Sequence, residues 1–149
     1  MYTKGFVATL ASLLLIGTTL AEASPRAAAH VENMFRVSDA NRDGVITQAE
    51  ARVVSVRDFR KYDIDGDGLL SYAEIRKHQL ETGASQFSPD IQTKIIAAVF
   101  ALYDVDGDGR ITLENYHQSQ MNLLLKADFD QDGQVTLQEA RQLHGVVAP

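Results

Sequence analysis

A chain of 149 residues with 20 acidic and 14 basic side chains carries a net charge of −6 and contains no cysteine. Without a dense basic patch, that balance argues against a nucleic-acid-binding surface. The missing thiols exclude disulfides, cysteine metal centres and a lipid-modified cysteine, so any cross-links in an exported form must be metal ions. Of the 20 acids, 15 fall within four twelve-residue segments, and only Glu22, Glu32, Asp58, Glu81 and Asp90 lie elsewhere. The acidity is therefore concentrated as ligand charge and does not form a disordered acidic tail.

In chain order, residues 1–23 are expected to be a secretory signal peptide. Lys4 precedes an apolar run from Phe6 to Leu20, and Ala21-Glu22-Ala23 supplies small residues for cleavage. The run is short for a membrane span and contains Thr, Ser and Gly, so no stable anchor is expected after cleavage. The remaining 126 residues suffice for one compact domain or two small lobes. Segment 35–79 repeats as 100–144, which divides the chain into a two-loop unit at 24–80, a linker at 81–88 with Gly83 and two serines, and a second two-loop unit at 89–149.

The first helix is predicted over Ala27 to Val37. Phe35, Phe59, Phe100 and Leu124 each stand four residues before an acidic segment, where an entering helix buries its last turn. Only 12 residues separate the acidic segments within each unit, Ala51 to Tyr62 and Tyr116 to Ala127. Two solutions fit. One is a single shared helix of about 18 Å, with segments then pairing across the duplication, 2 with 3 and 1 with 4. The other is a pair of one-turn helices with a corner at Ser55, capped by Asp58. The shared helix is favoured because neither spacer contains Gly or Pro. Ser88-Pro89-Asp90 predicts a helix start, followed by an apolar stripe of Ile91, Ile95, Val99 and Phe100. The last helix should stop near Gly145.

The four acidic segments are DANRDGVITQAE, DIDGDGLLSYAE, DVDGDGRITLEN and DFDQDGQVTLQE. Each places carboxylate or amide oxygens at positions 1, 3 and 5, Gly at 6, an aliphatic residue at 8, and Ser or Thr at 9. A hard cation such as calcium takes six to eight oxygens, and a wrapping loop of this spacing supplies them. In the first loop the candidate ligands are Asp39, Asn41, Asp43, the Val45 carbonyl, Thr47 through water, and Glu50. In the second they are Asp63, Asp65, Asp67, Leu69, Ser71 and Glu74. In the fourth they are Asp128, Asp130, Asp132, Gln134, Thr136 and Glu139. The third has Asp104, Asp106, Asp108, Arg110, Thr112 and, at position 12, Asn115. An amide offers one uncharged oxygen where Glu offers a bidentate pair, so the third site should be the weakest. Ile46, Leu70, Ile111 and Val135 at position 8 bind no metal and are expected to bridge loops by short β pairs.

Over roughly residues 27 to 145 the chain resembles the EF-hand, calmodulin-like superfamily, most like small secreted bacterial members. The resemblance implies an all-α fold of four helix-loop-helix calcium sites in two duplicated units. It also implies up to four Ca2+ ions, which would bring the net charge of about −6 to about +2. His30, His78, His117 and His144 show no ligand spacing, and no nucleophile motif accompanies them. Past the signal segment only Met34 and Met121 remain, too few for a promiscuous methionine groove. The expectation is a non-enzymatic, secreted or periplasmic calcium-binding protein acting as a buffer, a structural module or a calcium-dependent binder of an unidentified protein partner. The rival reading is a calcium-responsive regulatory subunit of an extracytoplasmic enzyme.

Overall fold

A computed structural model describes residues 25–146, so the expected signal peptide at 1–23 lies outside the described residues. The chain runs through α1 (Pro25–Ser38), β1 (Val45–Ile46), α2 (Gln48–Tyr62), β2 (Leu69–Leu70) and α3 (Tyr72–Thr82). A one-turn 3-10 helix (Ala84–Gln86) leads to α4 (Pro89–Tyr103), β3 (Ile111–Thr112), α5 (Leu113–Leu124), β4 (Val135–Thr136) and α6 (Leu137–Leu143). The fold is all-α with two small β bridges, as the spacing of the loops implies. Among the described residues no helix is long and apolar enough to cross a membrane.

α2 is continuous through Ser55 and Asp58, so the one-turn alternative is not realised. With no Gly or Pro to break it, the spacer leaving loop 1 is also the helix entering loop 2, about 22 Å long. α5 plays the same part between loops 3 and 4, and ends in a tight turn in which Lys126 N–H donates to the Leu123 carbonyl. A continuous helix has one loop at each end and cannot set them side by side. The bridges accordingly join loops from different halves: β1 pairs antiparallel with β4, and β2 with β3.

Position 8 faces position 8 in both bridges, Ile46 opposite Val135 and Leu70 opposite Ile111. All four side chains are at most 1 % exposed, so each bridge buries its apolar pair as well as satisfying backbone groups.

The chain divides into two compact units, residues 55–119 and residues 25–54 with 120–146. The sequence division into 24–80 and 89–149 does not coincide with them, because each unit takes one loop from each half. The loop 2–loop 3 unit has an aromatic core. Tyr116 meets Tyr103, Phe59 and Tyr62 at centroid distances of 4.9, 6.0 and 6.1 Å. Ile75, Ile96, Leu70 and Ile111 are buried in the same unit. The loop 1–loop 4 unit is mainly aliphatic, with Val31, Met34, Phe35, Ile46, Ala51, Leu124, Ala127, Val135 and Ala140 in one cluster.

Two local expectations need correction. On α4 the buried residues are Ile96 and Tyr103, while Ile91 is exposed and Ile95, Val99 and Phe100 are half-buried. The buried line is therefore Ile96 with Tyr103, seven residues and about two turns apart, with Val99 and Phe100 half-buried along it. Ser88 does occupy the N-cap with Pro89 next to it, but its side chain makes no capping hydrogen bond. The linker at 81–88 carries regular structure of its own. α3 runs into it, Gly83 caps that helix at φ 144°, and the 3-10 turn follows.

Candidate metal centres

Each loop is built around its first carboxylate. Gly44 N–H donates to Asp39 at 2.9 Å, and Gly68, Gly109 and Gly133 do the same to Asp63, Asp104 and Asp128 at 3.1, 3.0 and 3.0 Å. The chain can turn back this sharply because position 6 adopts a left-handed conformation, φ near 80° in all four loops, where a side chain is disfavoured. Position 5 then accepts from the N–H of position 7 in every loop: Asp43 from Val45, Asp67 from Leu69, Asp108 from Arg110, and Asp132 from Gln134, at 2.8–2.9 Å.

Position 12 closes the loop from the following helix. Glu50, Glu74 and Glu139 use one oxygen to accept from the N–H of position 2, at Ala40, Ile64 and Phe129. The other oxygen accepts from both the N–H and the hydroxyl of position 9, at Thr47, Ser71 and Thr136. The position 9 hydroxyl in turn accepts the N–H of position 12, completing a reciprocal cap on the helix that follows. This S/T-x-x-E pattern stands in the sequence, and the reading of Thr47, Ser71 and Thr136 as water-mediated ligands passed over it.

These bonds tune the carboxylates. Backbone and hydroxyl donors from Thr47 hold Glu50 below the usual carboxylate range, and those from Thr136 do so for Glu139. For Glu74, burial pushes the pKa upward, but the donors from Ser71 together with Ile64 and Asp65 outweigh it and the net shift is down. All three remain anionic near neutrality and available to a cation.

In loops 2 and 4 positions 1, 3 and 12 converge. Asp63, Asp65 and Glu74 bring carboxylate oxygens within 4.8 Å of one another, as do Asp128, Asp130 and Glu139. Loop 1 has the same frame with Asn41 at position 3, whose amide donates to Asp43 at 2.9 Å.

Loop 3 gathers a different set, Asp104, Asp106 and Asp108, within the same 4.8 Å limit. Asn115 accepts from Thr112 N–H and hydroxyl at 3.0 and 2.6 Å, so its single oxygen reproduces the cap. Its other arm is an NH2 group and cannot accept from the N–H of position 2. That amide donates instead to Asp106 at 3.1 Å, and Val105 N–H turns to the Tyr103 carbonyl. A donor thus stands where the other three loops present an acceptor.

The donor atoms are oxygens throughout, the hard set that suits calcium or magnesium. An Asp104 carboxylate oxygen is buried and meets no hydrogen-bond donor, as expected of an atom whose partner is a cation. Asp, Asn and Glu side chains at positions 1, 3, 5 and 12 would hold that ion. The carbonyls of Val45, Leu69, Arg110 and Gln134 stand at the expected position 7, directly before the buried position 8 residue.

An EF-hand domain-pair family model matches residues 55–121, which includes loops 2 and 3, the pair bridged by β2 and β3. A second EF-hand domain-pair model matches residues 5–58 and includes loop 1, while loop 4 lies outside both matches. No curated protein matches the chain. The two family matches, on a chain whose four loops share one ligand spacing up to position 9 and, apart from position 12 of loop 3, one hydrogen-bond scheme, place it with the EF-hand calcium-binding superfamily.

Proposed function

We propose that this protein is an exported, non-catalytic calcium binder with up to four sites, of which the third is the weakest. The observation that carries the reading is the convergence of anionic oxygens in loops 2, 3 and 4 on frames organised by backbone N–H groups. Like charges at this separation repel in the ion-free protein, and a divalent cation relieves that repulsion. Sites of modest affinity, about 10⁻⁴–10⁻³ M, suffice outside the cytoplasm. Asp39, Asn41, Asp43 and Glu50, with their counterparts in the other loops, are the proposed ligands.

Binding to the folded state adds about 2.7 kcal/mol per site at a hundredfold excess over Kd. Three occupied sites would then rival the whole stability of a small domain, roughly 5–15 kcal/mol. Thermal melts in chelator, magnesium and calcium test this. The melting temperature is expected to rise strongly in calcium and less in magnesium, which accepts a flexible oxygen cage poorly. Equal melting temperatures in chelator and calcium would overturn it. Export is tested separately by intact mass from an export-competent host, where a chain beginning at Ser24 is expected and retention of Met1 in the membrane fraction would refute it.

A further inference from the structure

We propose that His30 and His144 form a proton-sensitive latch between α1 and α6, closed while both rings are neutral, so that acid loosens the loop 1–loop 4 unit and lowers its hold on calcium. The calcium clause rests on the function proposed above; the latch itself does not.

The two helices are the ones that matter to this unit. α1 leads into Asp39 of loop 1, and α6 carries Glu139 of loop 4. His30 lies beside Val31, whose side chain is fully buried, and His144 caps α6 beyond the buried Ala140. The two imidazoles meet edge to face, 5.6 Å between centroids and 69° between planes. The His30 Nε2 atom is buried and has no hydrogen-bond partner. A proton placed on it would be a buried cation lacking an acceptor, with a second imidazole against it.

The elements that share this core offer little to offset that charge. Their other charged groups are Arg26, Glu32 and Arg36 on α1, Glu50 and Arg52 on the first turns of α2, and Glu139 and Arg141 on α6, while β1, β4 and residues 120–124 of α5 carry none. Glu50 is engaged by Ala40 and Thr47. Glu32 is engaged by Arg141, and Glu139 by Phe129 and Thr136. Burial accordingly holds His30 below the usual 6.5, and burial followed by the proximity of His30 does the same for His144.

The sign follows from linkage. Below 6.5 the unfolded chain takes up protons that the folded unit resists, so stability is complete above that value and is lost as pH falls toward the lower folded values. Hydrogen bonds from Thr47 and Thr136 hold the loop carboxylates Glu50 and Glu139 below the carboxylate reference of 4.5, so both stay charged as pH first falls below 6.5.

The test uses the full chain in chelator, melted between about pH 7.5 and about pH 5.5, the range where histidine changes charge. A His30→Phe/His144→Gln variant is melted alongside, and NMR follows the imidazole C–H signals of the unaltered protein. The melting temperature is expected to fall by several degrees across this range, with the fall reduced in the variant. Both rings are expected to titrate below 6.5. Titration of either ring at or above 6.5, or an undiminished pH dependence in the variant, would overturn the latch. His78, buried in the other unit and also held low by burial, sets the dependence the variant should retain. If the variant does not fold, the NMR titration decides alone.

In a parallel calcium titration a several-fold loss of affinity at the lower pH is expected in loops 1 and 4. Unchanged affinity there would overturn the calcium clause. An absence of calcium binding at every pH would overturn the function proposed above, while the chelator melts and the NMR titration would still judge the latch.

Discussion

Loops 2 and 3 carry Gly66 and Gly107 at position 4, whereas loops 1 and 4 carry Arg42 and Gln131. All four residues adopt left-handed backbone, with φ of 76°, 72°, 62° and 62°. Glycine does so freely, and a residue with a side chain does so at a cost of roughly 1–2 kcal/mol. The division follows the compact units and not the duplicated halves, as does the contrast between the aromatic core of one unit and the mainly aliphatic core of the other. Each unit also joins a loop with all its carboxylates to one bearing an amide, Asn41 in loop 1 and Asn115 in loop 3. The two amides differ in position. Each turns an NH2 donor onto a neighbouring carboxylate, Asn41 onto Asp43 and Asn115 onto Asp106, but Asn115 stands at position 12, where the other three loops present a bidentate Glu.

The largest effects expected on this comparison are in the cores. Phe59→Ala should destabilise the loop 2–loop 3 unit by about 3–5 kcal/mol, since the ring is buried against Tyr116. Phe100→Ala, at the equivalent place before loop 3, should cost distinctly less because that ring is half-buried and tilted against Tyr72 at 5.7 Å. Denaturant melts of the two variants check the ranking, and equal losses would break the distinction between these repeat positions.

The next effects are at position 12. Glu74→Gln recreates in loop 2 the amide that Asn115 brings to loop 3. A hydrogen bond to a charged group is worth about 1.5–3 kcal/mol, so affinity at that site should fall roughly tenfold to hundredfold. Asn115→Glu should tighten loop 3 by a similar order. It also sets a fourth carboxylate beside Asp104, Asp106 and Asp108, so in chelator the same change should lower stability. Opposite signs in calcium and chelator are the signature to look for in paired titrations and melts. No change in either would mean that position 12 does not govern the site.

The smallest effects are at position 4. An added Cβ at Gly66 meets nothing within 4 Å, so Gly66→Ala carries only the left-handed strain of roughly 1–2 kcal/mol, reduced by about 0.4–1 kcal/mol for the stiffer unfolded chain. Arg42→Gly should shift stability by less than about 0.5 kcal/mol, because relief of the left-handed strain is offset by a freer unfolded chain. Chemical denaturation in chelator resolves the two, and a large gain from Arg42→Gly would show that the strain is stored in the loop.

The local rules were readable in the sequence. Ligand spacing, Gly at position 6 and apolar residues at position 8 are fixed by one turn of chain, and they located the loops and their bridging residues. The cross-pairing of loops 1 with 4 and 2 with 3 was one of two arrangements open to the sequence, favoured because the spacers lack Gly and Pro, and the choice rests on the continuous α2 and the two bridges. What could not be read depends on packing between distant segments. Ile96 is chosen over its neighbour Ile95 by its place on α4 with Tyr103, and the two stand side by side in one apolar run in the sequence. His30 and His144 stand 114 positions apart and meet only once α1 and α6 pack. The left-handed turn at Arg42 and Gln131 is masked by side chains that do not advertise it. The caps formed by Thr47, Ser71 and Thr136 were readable but were overshadowed by the metal reading of the same residues.

Calorimetric titration of calcium into the chelator-treated full chain tests the central claim most directly. Saturable binding is expected at three sites and more weakly at a fourth, with the weak phase strengthened by Asn115→Glu. A titration without saturable heat, at concentrations up to about 10⁻³ M, the upper range for extracellular modules, and with no accompanying change in melting temperature, would contradict it.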